Sequence, residues 1–314
     1  MQGDPEPSSC YRTQSNVRDA PGFSCVNTLT GHGSTVTSLR FFSSDGGKFV
    51  SGSGDGTARV WDLERGVEVS KLDSGHDGGK GKENGAVNCV DVGEDGDVIV
   101  TSSDDFKARM WDPRAPKAPV LVLRGHTHVV TSCSLAPTGQ MVATGSFDET
   151  ARLWDPRTGG ELAVIAAHTQ PVTCVQFSKG SVRPNLATAS FDGTCRIWSS
   201  HNRECLRTIV PTNDSGERAA LTSVRFTPNN QYLLLNSLHN KLLLFDPKVE
   251  NGNLPAANVP GLNPDAVVLP VLKKTYEGHM NSDYLLQSGF MTRCTDGAKL
   301  VLSGSEDHHV RCSY

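Results

Sequence analysis

The stretch Ala143-Thr-Gly-Ser-Phe-Asp148, followed by Trp154 and Asp155, recurs along the chain and decides its fold. The other complete copies end in the pairs Asp55 and Trp61, Asp105 and Trp111, and Asp192 and Trp198. The tryptophan follows the aspartate by six residues in every copy, and successive tryptophans lie 50, 43 and 44 residues apart. A repeat of about 40–45 residues with this pattern is typical of a four-stranded propeller blade.

Weaker signals extend the repeat on both sides of these copies. Histidine-containing pairs precede them, namely Gly31-His32, Gly75-His76, Gly125-His126, Gly278-His279 and the variant Ala167-His168. A fifth copy, Tyr232–Asp246, keeps the strand rhythm but has His239 in place of the aspartate and Phe245 in place of the tryptophan. A sixth copy runs from Gly278 to Asp307. We therefore count six blades.

Alternation of polar and apolar residues predicts four strands within the first copy. They are Val36–Phe41, Lys48–Ser51, Ala58–Asp62 and Val67–Leu72. The sequence Gly54-Asp-Gly56 supplies the positive-φ positions of a tight hairpin. The predicted fold is an all-β propeller over residues 24–314, with its sixth blade incomplete at the C-terminus. Residues 1–23 are expected to be a disordered tail, and residues 77–85 and 247–270 to be loop insertions.

Composition narrows the classes of function. The net charge of −4 and the pI of about 6.2 argue against direct nucleic-acid binding, and no apolar run approaches the length of a membrane span. The chain opens without an apolar leader, so we expect no secretion. The nine cysteines include no C-x-x-C pair, which favours buried thiols over a disulfide framework or a metal site. No cofactor is expected.

The repeat resembles that of the WD40-repeat family over roughly residues 24–314. The resemblance implies that a histidine, a serine or threonine, an aspartate and a tryptophan form a hydrogen-bonded tetrad inside a blade. The matching tetrads here are His32, Ser51, Asp55 and Trp61; His126, Thr144, Asp148 and Trp154; and His168, Thr188, Asp192 and Trp198. A catalytic triad would occur once rather than in each blade, so we interpret these groups as structural and expect no enzyme.

Blades three to six are more specifically similar to the WD-repeat scaffold of COMPASS/MLL-type histone H3 lysine-4 methyltransferase complexes. The similarity is carried by stretches such as Ala167-His-Thr-Gln-Pro-Val172 and Lys274-Thr-Tyr-Glu-Gly-His279. It implies a pocket for an arginine-containing peptide at the mouth of the central channel. The matching residues are Gly54, Asp104, Phe147, Phe191, Thr37, Asn88, Thr131, Thr173, Thr222, Tyr284, Leu285 and Gln287.

The chain departs from that scaffold where the arginine should be held. The two stacking phenylalanines map onto Thr131 and Gln287, and a small cysteine maps onto Leu285. Since stacking contributes up to about 2 kcal/mol, we expect weakened binding of a histone H3 tail. The resemblance also implies a second cleft for a partner subunit, at Asn229, Leu244 and Phe290.

Two questions stay open at this level. Ser24–Leu29 resembles an outermost strand, so it could complete the sixth blade, or a seventh blade could be missing; we expect the truncated seven-bladed ring. For function, we expect a nuclear, monomeric scaffold that joins SET-domain methyltransferase subunits, with the cytoplasm as a second location. The alternative is an adaptor of another assembly, such as a spliceosomal subunit or the substrate receptor of a ubiquitin ligase.

Overall fold

The computed structural model describes residues 27–43, 46–73, 85–180, 183–212, 218–247, 271–282, 285–292, 299–306 and 310–313. These residues form 23 β-strands, and within them no helix occurs. The predicted tail lies outside the described residues, as do the two predicted insertions apart from Gly85 and Pro247.

The first three sheets are four-stranded and antiparallel. Sheet one contains β1 (Val36–Phe41), β2 (Lys48–Ser53), β3 (Thr57–Asp62) and β4 (Val67–Asp73). Sheet two contains β5 (Val87–Val92), β6 (Ile99–Ser103), β7 (Lys107–Trp111) and β8 (Leu121–Arg124). Sheet three contains β9 (Val130–Leu135), β10 (Val142–Ser146), β11 (Ala151–Trp154) and β12 (Glu161–Ile165).

Two further four-stranded sheets and one three-stranded sheet follow. Sheet four contains β13 (Val172–Phe177), β14 (Asn185–Ser190), β15 (Cys195–Ser199) and β16 (Cys205–Ile209). Sheet five contains β17 (Leu221–Phe226), β18 (Leu233–Ser237), β19 (Lys241–Asp246) and β20 (Val271–Tyr276). Sheet six contains β21 (Ser288–Thr292), β22 (Lys299–Gly304) and β23 (Val310–Ser313).

The sheets are arranged as the blades of a propeller. Within each sheet, neighbouring strands follow chain order, and the first strand of each sheet lies beside the first strand of the next from β1 through β21. All six first strands also line one central cavity. The predicted all-β propeller with an incomplete last blade is therefore confirmed, and we call sheets one to six blades one to six.

The hydrophobic core lies between neighbouring blades. Val50, Val60 and Leu72 of blade one pack with Val87 and Val90 of blade two in one buried cluster. Gly52 makes this approach possible, because an added Cβ would lie 2.8 Å from Val87 and 2.9 Å from Val90. Burial of such side chains against a neighbour is the main force that stabilises each blade.

On one face of blade one, no such neighbour occurs among the described residues. Val36, Leu39 and Phe41 correspond in position to the buried first strands of the other blades, yet they are 56%, 41% and 56% exposed. On blade six, Gly304 occupies the position of Gly52, and its nearest side-chain atom is 3.7 Å away. Among the described residues, no sheet covers this face of β1.

The outer strand predicted at Ser24–Leu29 is not observed in its described part, residues 27–29, which is irregular. Asn27 nevertheless approaches Gly66 in the same way as Leu121 of β8 approaches Gly159 of blade three. Residues 27–29 form no ladder with β23 or with another described strand, so among the described residues blade six keeps three strands.

Candidate functional site

Hydrogen-bonded tetrads fix the turn between the second and third strands of blades one, three and four. In blade three, His126 Nδ1 lies 2.8 Å from Asp148 Oδ2, and its Nε2 lies 2.7 Å from Thr144 Oγ1. Trp154 Nε1 donates to the same Thr144 hydroxyl at 2.8 Å. The corresponding contacts span 2.7–3.0 Å in blade one, among His32, Ser51, Asp55 and Trp61. They also span 2.7–3.0 Å in blade four, among His168, Thr188, Asp192 and Trp198.

The turn aspartates of these blades are held in their charged form. Burial alone would raise the pKa of Asp148, but hydrogen bonds from His126 and Thr150 outweigh it and bring the pKa well below its usual range. The same balance lowers the pKa of Asp55 and that of Asp192. Burial also lowers the pKa of His168, against the opposing attraction of Asp192. These carboxylates are therefore used in hydrogen bonds that hold the turns. They also place permanent negative charge on the side of the propeller where these turns lie.

Blades two and five fix the same turn differently. In blade two, Arg109 Nη2 pairs with Asp105 Oδ2 at 2.7 Å, and Trp111 Nε1 donates to Thr101 Oγ1 at 3.0 Å. In blade five, Asn281 Nδ2 donates to Asn236 Oδ1 at 3.0 Å. The recurrence of a buried polar network at this place supports a structural interpretation in blades one to five.

The residue before each turn aspartate lies at one mouth of the channel. The backbone N–H of Phe147 donates to Val129 at 2.9 Å, and that of Phe191 donates to Pro171 at 3.1 Å, just ahead of the first strands. Gly54 and Asp104 make the equivalent backbone bonds, whereas the N–H of Glu306 donates to Met280 O, ahead of β21. We call this set, with Leu238 of blade five, the turn rim; its members are Gly54, Asp104, Phe147, Phe191, Leu238 and Glu306.

An uninterrupted row of rings crosses the turn rim. Phe106 stacks on His128 with ring centroids 5.6 Å apart, His128 lies 5.6 Å from Phe147, and Phe147 lies 6.1 Å from Phe191. We call these four residues the aromatic stripe. Phe106 is 43% exposed and His128 is exposed as well, so the stripe presents ring surface to solvent across blades two, three and four.

Phe106 occupies a costly backbone conformation. Its φ is +68°, whereas the equivalent positions of blades one and four carry Gly56 and Gly193 at φ +79° and +75°. A left-handed conformation costs a residue with a Cβ about 1–2 kcal/mol. Phe106 and His128 are not among the residues predicted from the sequence, although a phenylalanine in place of a turn glycine is a visible signal.

The other predicted channel residues, which lie one position after the start of each first strand, form hydrogen bonds between neighbouring blades. The Oγ1 of Thr131 donates to Val172 O at 2.6 Å, and the Oγ1 of Thr173 donates to Leu221 O at 2.8 Å. Thr37 and Asn88 donate in the same way to the next first strand, and Thr222 Oγ1 donates to Leu286 O, just before β21. Thr131, Thr173 and Thr222 are also buried. Their side chains join neighbouring blades.

The remaining predicted residues have separate environments. Leu285 is partly buried just before β21, and Tyr284 lies outside the described residues. Leu244 and Phe290 pack against one cluster formed by Leu234, Leu242, Tyr276 and Val301. Asn229 is exposed in the turn after β17, where its Oδ1 accepts from Thr227 Oγ1 at 2.7 Å.

The opposite mouth opens into a cavity of about 460 Å³, which we call the channel cavity. The second halves of the first strands line it, and its polar side chains include Arg40, Asp91, Gln176 and Arg225. Arg40 Nε lies 3.3 Å from Asp91 Oδ1. The two mouths are therefore unlike: acidic and aromatic at the turn rim, and rich in arginine at the channel cavity.

Comparison with known proteins identifies the repeat. Residues 23–62, 69–112, 117–155 and 159–199 each match the model of the family described as "WD domain, G-beta repeat". Among curated proteins, coatomer subunit beta'-2 of Arabidopsis thaliana is 34% identical over 118 residues, which cover 37% of this chain and 12% of the relative. Nuclear distribution protein nudF of Aspergillus niger is 32% identical over 112 residues, covering 36% of this chain and 23% of the relative.

A third relative covers more of the chain. Guanine nucleotide-binding protein subunit beta of Arabidopsis thaliana is 31% identical over 157 residues, or 48% of this chain and 40% of the relative. The chain thus spans well under half of each of these three relatives, and their names point to different cellular assemblies. No helix long and apolar enough to cross a membrane occurs in the described part of the chain.

Proposed function

Because this chain belongs to the family with the WD domain, G-beta repeat, we propose that it is a non-catalytic adaptor that binds a basic segment of a partner protein on the turn rim. The observation that carries the proposal is the aromatic stripe. Four contiguous rings, two of them well exposed, form a surface that a purely structural turn does not need.

The chemistry of the stripe favours a cation. Arginine and lysine side chains bind over aromatic faces, and arginine does so with its planar guanidinium. Asp104, whose Oδ1 accepts from Asn88 Nδ2 at 2.8 Å, lies next to the stripe in chain and rim order. On the far side of the rim, Glu306 accepts from Ser282 N at 2.8 Å. The lowered pKa values of Asp55, Asp148 and Asp192 add fixed negative charge to the same face.

A role without catalysis is supported by how the polar groups are used. Each serine or threonine, histidine and aspartate set that resembles a hydrolase triad also contains a tryptophan donor, and it recurs in blades one, three and four. The Ser51, Thr144 and Thr188 hydroxyls accept these tryptophan N–H groups and are buried, so they are not accessible to a substrate. The first strands use their threonines between blades.

For the assembly, we propose a histone H3 lysine-4 methyltransferase complex in the nucleus, where the protein would present a SET-domain subunit or an H3 tail. The proposal rests on the sequence similarity of blades three to six alone. The alternative, an adaptor of another assembly, is favoured by the range of relatives, which includes coatomer and nuclear distribution proteins.

Affinity purification of tagged protein, followed by mass spectrometry, tests the assembly. SET-domain methyltransferase subunits in the eluate of wild type, reduced with Phe147→Ala and retained with Phe41→Ala, would support the proposal. Phe41 is a suitable control because it is an exposed phenylalanine at the other mouth. Spliceosomal, cullin or coat subunits instead would reject the methyltransferase assembly, and a partner set unaffected by Phe147→Ala would reject the turn rim as the binding surface.

A further inference from the structure

The channel cavity contains a buried cation that lacks a counter-charge. Arg225 is 7% exposed, and its Nη2 donates to the neutral Oε1 of Gln287 at 2.7 Å. Among the described residues, no carboxylate forms an ion pair with it. A buried guanidinium whose only direct partner is a neutral amide retains much of its desolvation penalty, because the one nearby carboxylate, Asp91, attracts it without forming an ion pair.

The other charges around the cavity do not supply the missing partner. Asp91 is already engaged, since its Oδ1 faces Arg40 at 3.3 Å and its Oδ2 accepts from the Leu135 N–H at 2.8 Å. Lys179 and Glu94 line the cavity but are exposed. The lining thus contains three basic side chains, Arg40, Lys179 and Arg225, and two acidic ones. The excess charge is positive and is deepest at Arg225.

The charge of Arg225 persists at neutral pH. Burial, and to a lesser degree the charge of Arg40, lowers the pKa of Arg225, but an arginine in a protein stays protonated. Cys89 is one internal group that could oppose it. The hydrogen bond with Cys133 and the charges of Arg40 and Arg225 lower the pKa of the Cys89 thiol, although burial works against them.

We propose that the channel cavity binds a small phosphate-bearing anion, with Arg225 as the principal contact and Arg40 as a second one. A guanidinium fits phosphate oxygens in a bidentate arrangement, and such charge-assisted bonds are among the strongest in proteins. The volume of about 460 Å³ is within the range of small-ligand sites and admits a free phosphate compound rather than a folded partner. The site lies at the end of the first strands opposite to the turn rim.

Isothermal titration with inorganic pyrophosphate tests the site on the purified full chain. We expect saturable binding to wild type, at least tenfold weaker binding to Arg225→Met, and an intermediate affinity for Arg225→Lys, which keeps the charge but loses the fork. Arg65→Met is the matched control, because the Arg65 side chain is 81% exposed on blade one. The control should bind within about twofold of wild type.

A second variant separates an anion site from a merely structural arginine. Gln287→Glu places a carboxylate beside the Arg225 guanidinium, so it should raise the melting temperature while weakening pyrophosphate binding at least tenfold. Absence of saturable binding to wild type would overturn the proposal, as would equal affinity for wild type and Arg225→Met. Binding that appears only in Cys89→Ala would also overturn it, because an internal thiolate would then be the native counter-charge.

Discussion

The two mouths of the channel are built from opposite ends of the same six strands, about 20 Å apart for strands of six residues, and they differ in charge. At the turn rim, Phe147 and Phe191 lie between the acidic side chains of Asp104 and Glu306. At the channel cavity, Arg40 and Arg225 face inward. The scaffold is common to both, so the difference comes from a few positions in each blade.

The contrast between the two mouths shows that different positions of the repeat determine the architecture and the binding surfaces. Positions that recur with the same residue type, such as the tetrad aspartates, hold turns in place. Positions that vary from blade to blade, such as the turn-rim residues, carry the surface chemistry. Positions that vary from blade to blade are therefore the better guide to ligands, and Phe106 and Arg225 both occupy such positions.

The largest loss of stability is expected from Trp154→Ala. This variant should damage blade three, which contributes residues to both mouths of the channel, so both binding surfaces should be lost. Trp154 is fully buried, and its indole donates to Thr144. Removing a buried tryptophan costs about 3–5 kcal/mol of unfolding free energy. Urea denaturation should show this loss; a loss below about 1 kcal/mol would mean that the tetrad does not hold blade three.

Acidification should reduce the stability of the protein first at the turns that contain the tetrad aspartates. Because the folded-state pKa values of Asp55, Asp148 and Asp192 are lowered, the unfolded chain binds more protons as pH falls, so stability is lost below about pH 4. The lowered pKa of His168 has the same sign and begins to act below about pH 6.5. Each carboxylate should contribute of the order of 2 kcal/mol.

Thermal melting between pH 3 and pH 8 measures this dependence. Asp148→Asn should melt lower at neutral pH and lose less stability on acidification than wild type does. A parallel pH profile for the two proteins would contradict the assignment of the acid limb to the tetrads.

Phe147→Ala should weaken binding of an arginine-containing peptide by about 1–3 kcal/mol, since aromatic anchors dominate interfaces. Pyrophosphate binding at the other mouth should be unchanged. Calorimetry with a histone H3 tail peptide and with pyrophosphate measures both. Loss of both affinities would indicate a folding defect, and retention of peptide binding would remove Phe147 from the site.

The smallest effect is expected from Phe106→Gly. Glycine relieves the positive φ of this position, so the variant should be about 1 kcal/mol more stable than wild type. It also removes one ring of the aromatic stripe and should bind the peptide more weakly. Stability and affinity that fall together would contradict the view that Phe106 is retained for binding at a cost in strain.

The blades of the propeller can be predicted from the sequence, whereas the roles of the channel residues cannot. The six-residue step from Asp148 to Trp154 and the strand alternation set the blades, because local pattern and burial agree there. The roles of Thr131 and Thr173 could not be predicted, since their acceptors belong to the next blade, more than 40 residues away. The charge of Arg225 becomes meaningful only when Arg40 and Asp91 are brought to the same cavity from distant blades.

Photo-crosslinking tests the central claim most directly. An arginine-containing peptide that carries a benzophenone group should label the segments around Phe106, His128, Phe147 and Phe191, and excess pyrophosphate should not displace it. Labelling of the strand ends around Arg40 and Arg225, or of the outer strands, would contradict the assignment of the turn rim as the surface that binds the basic partner.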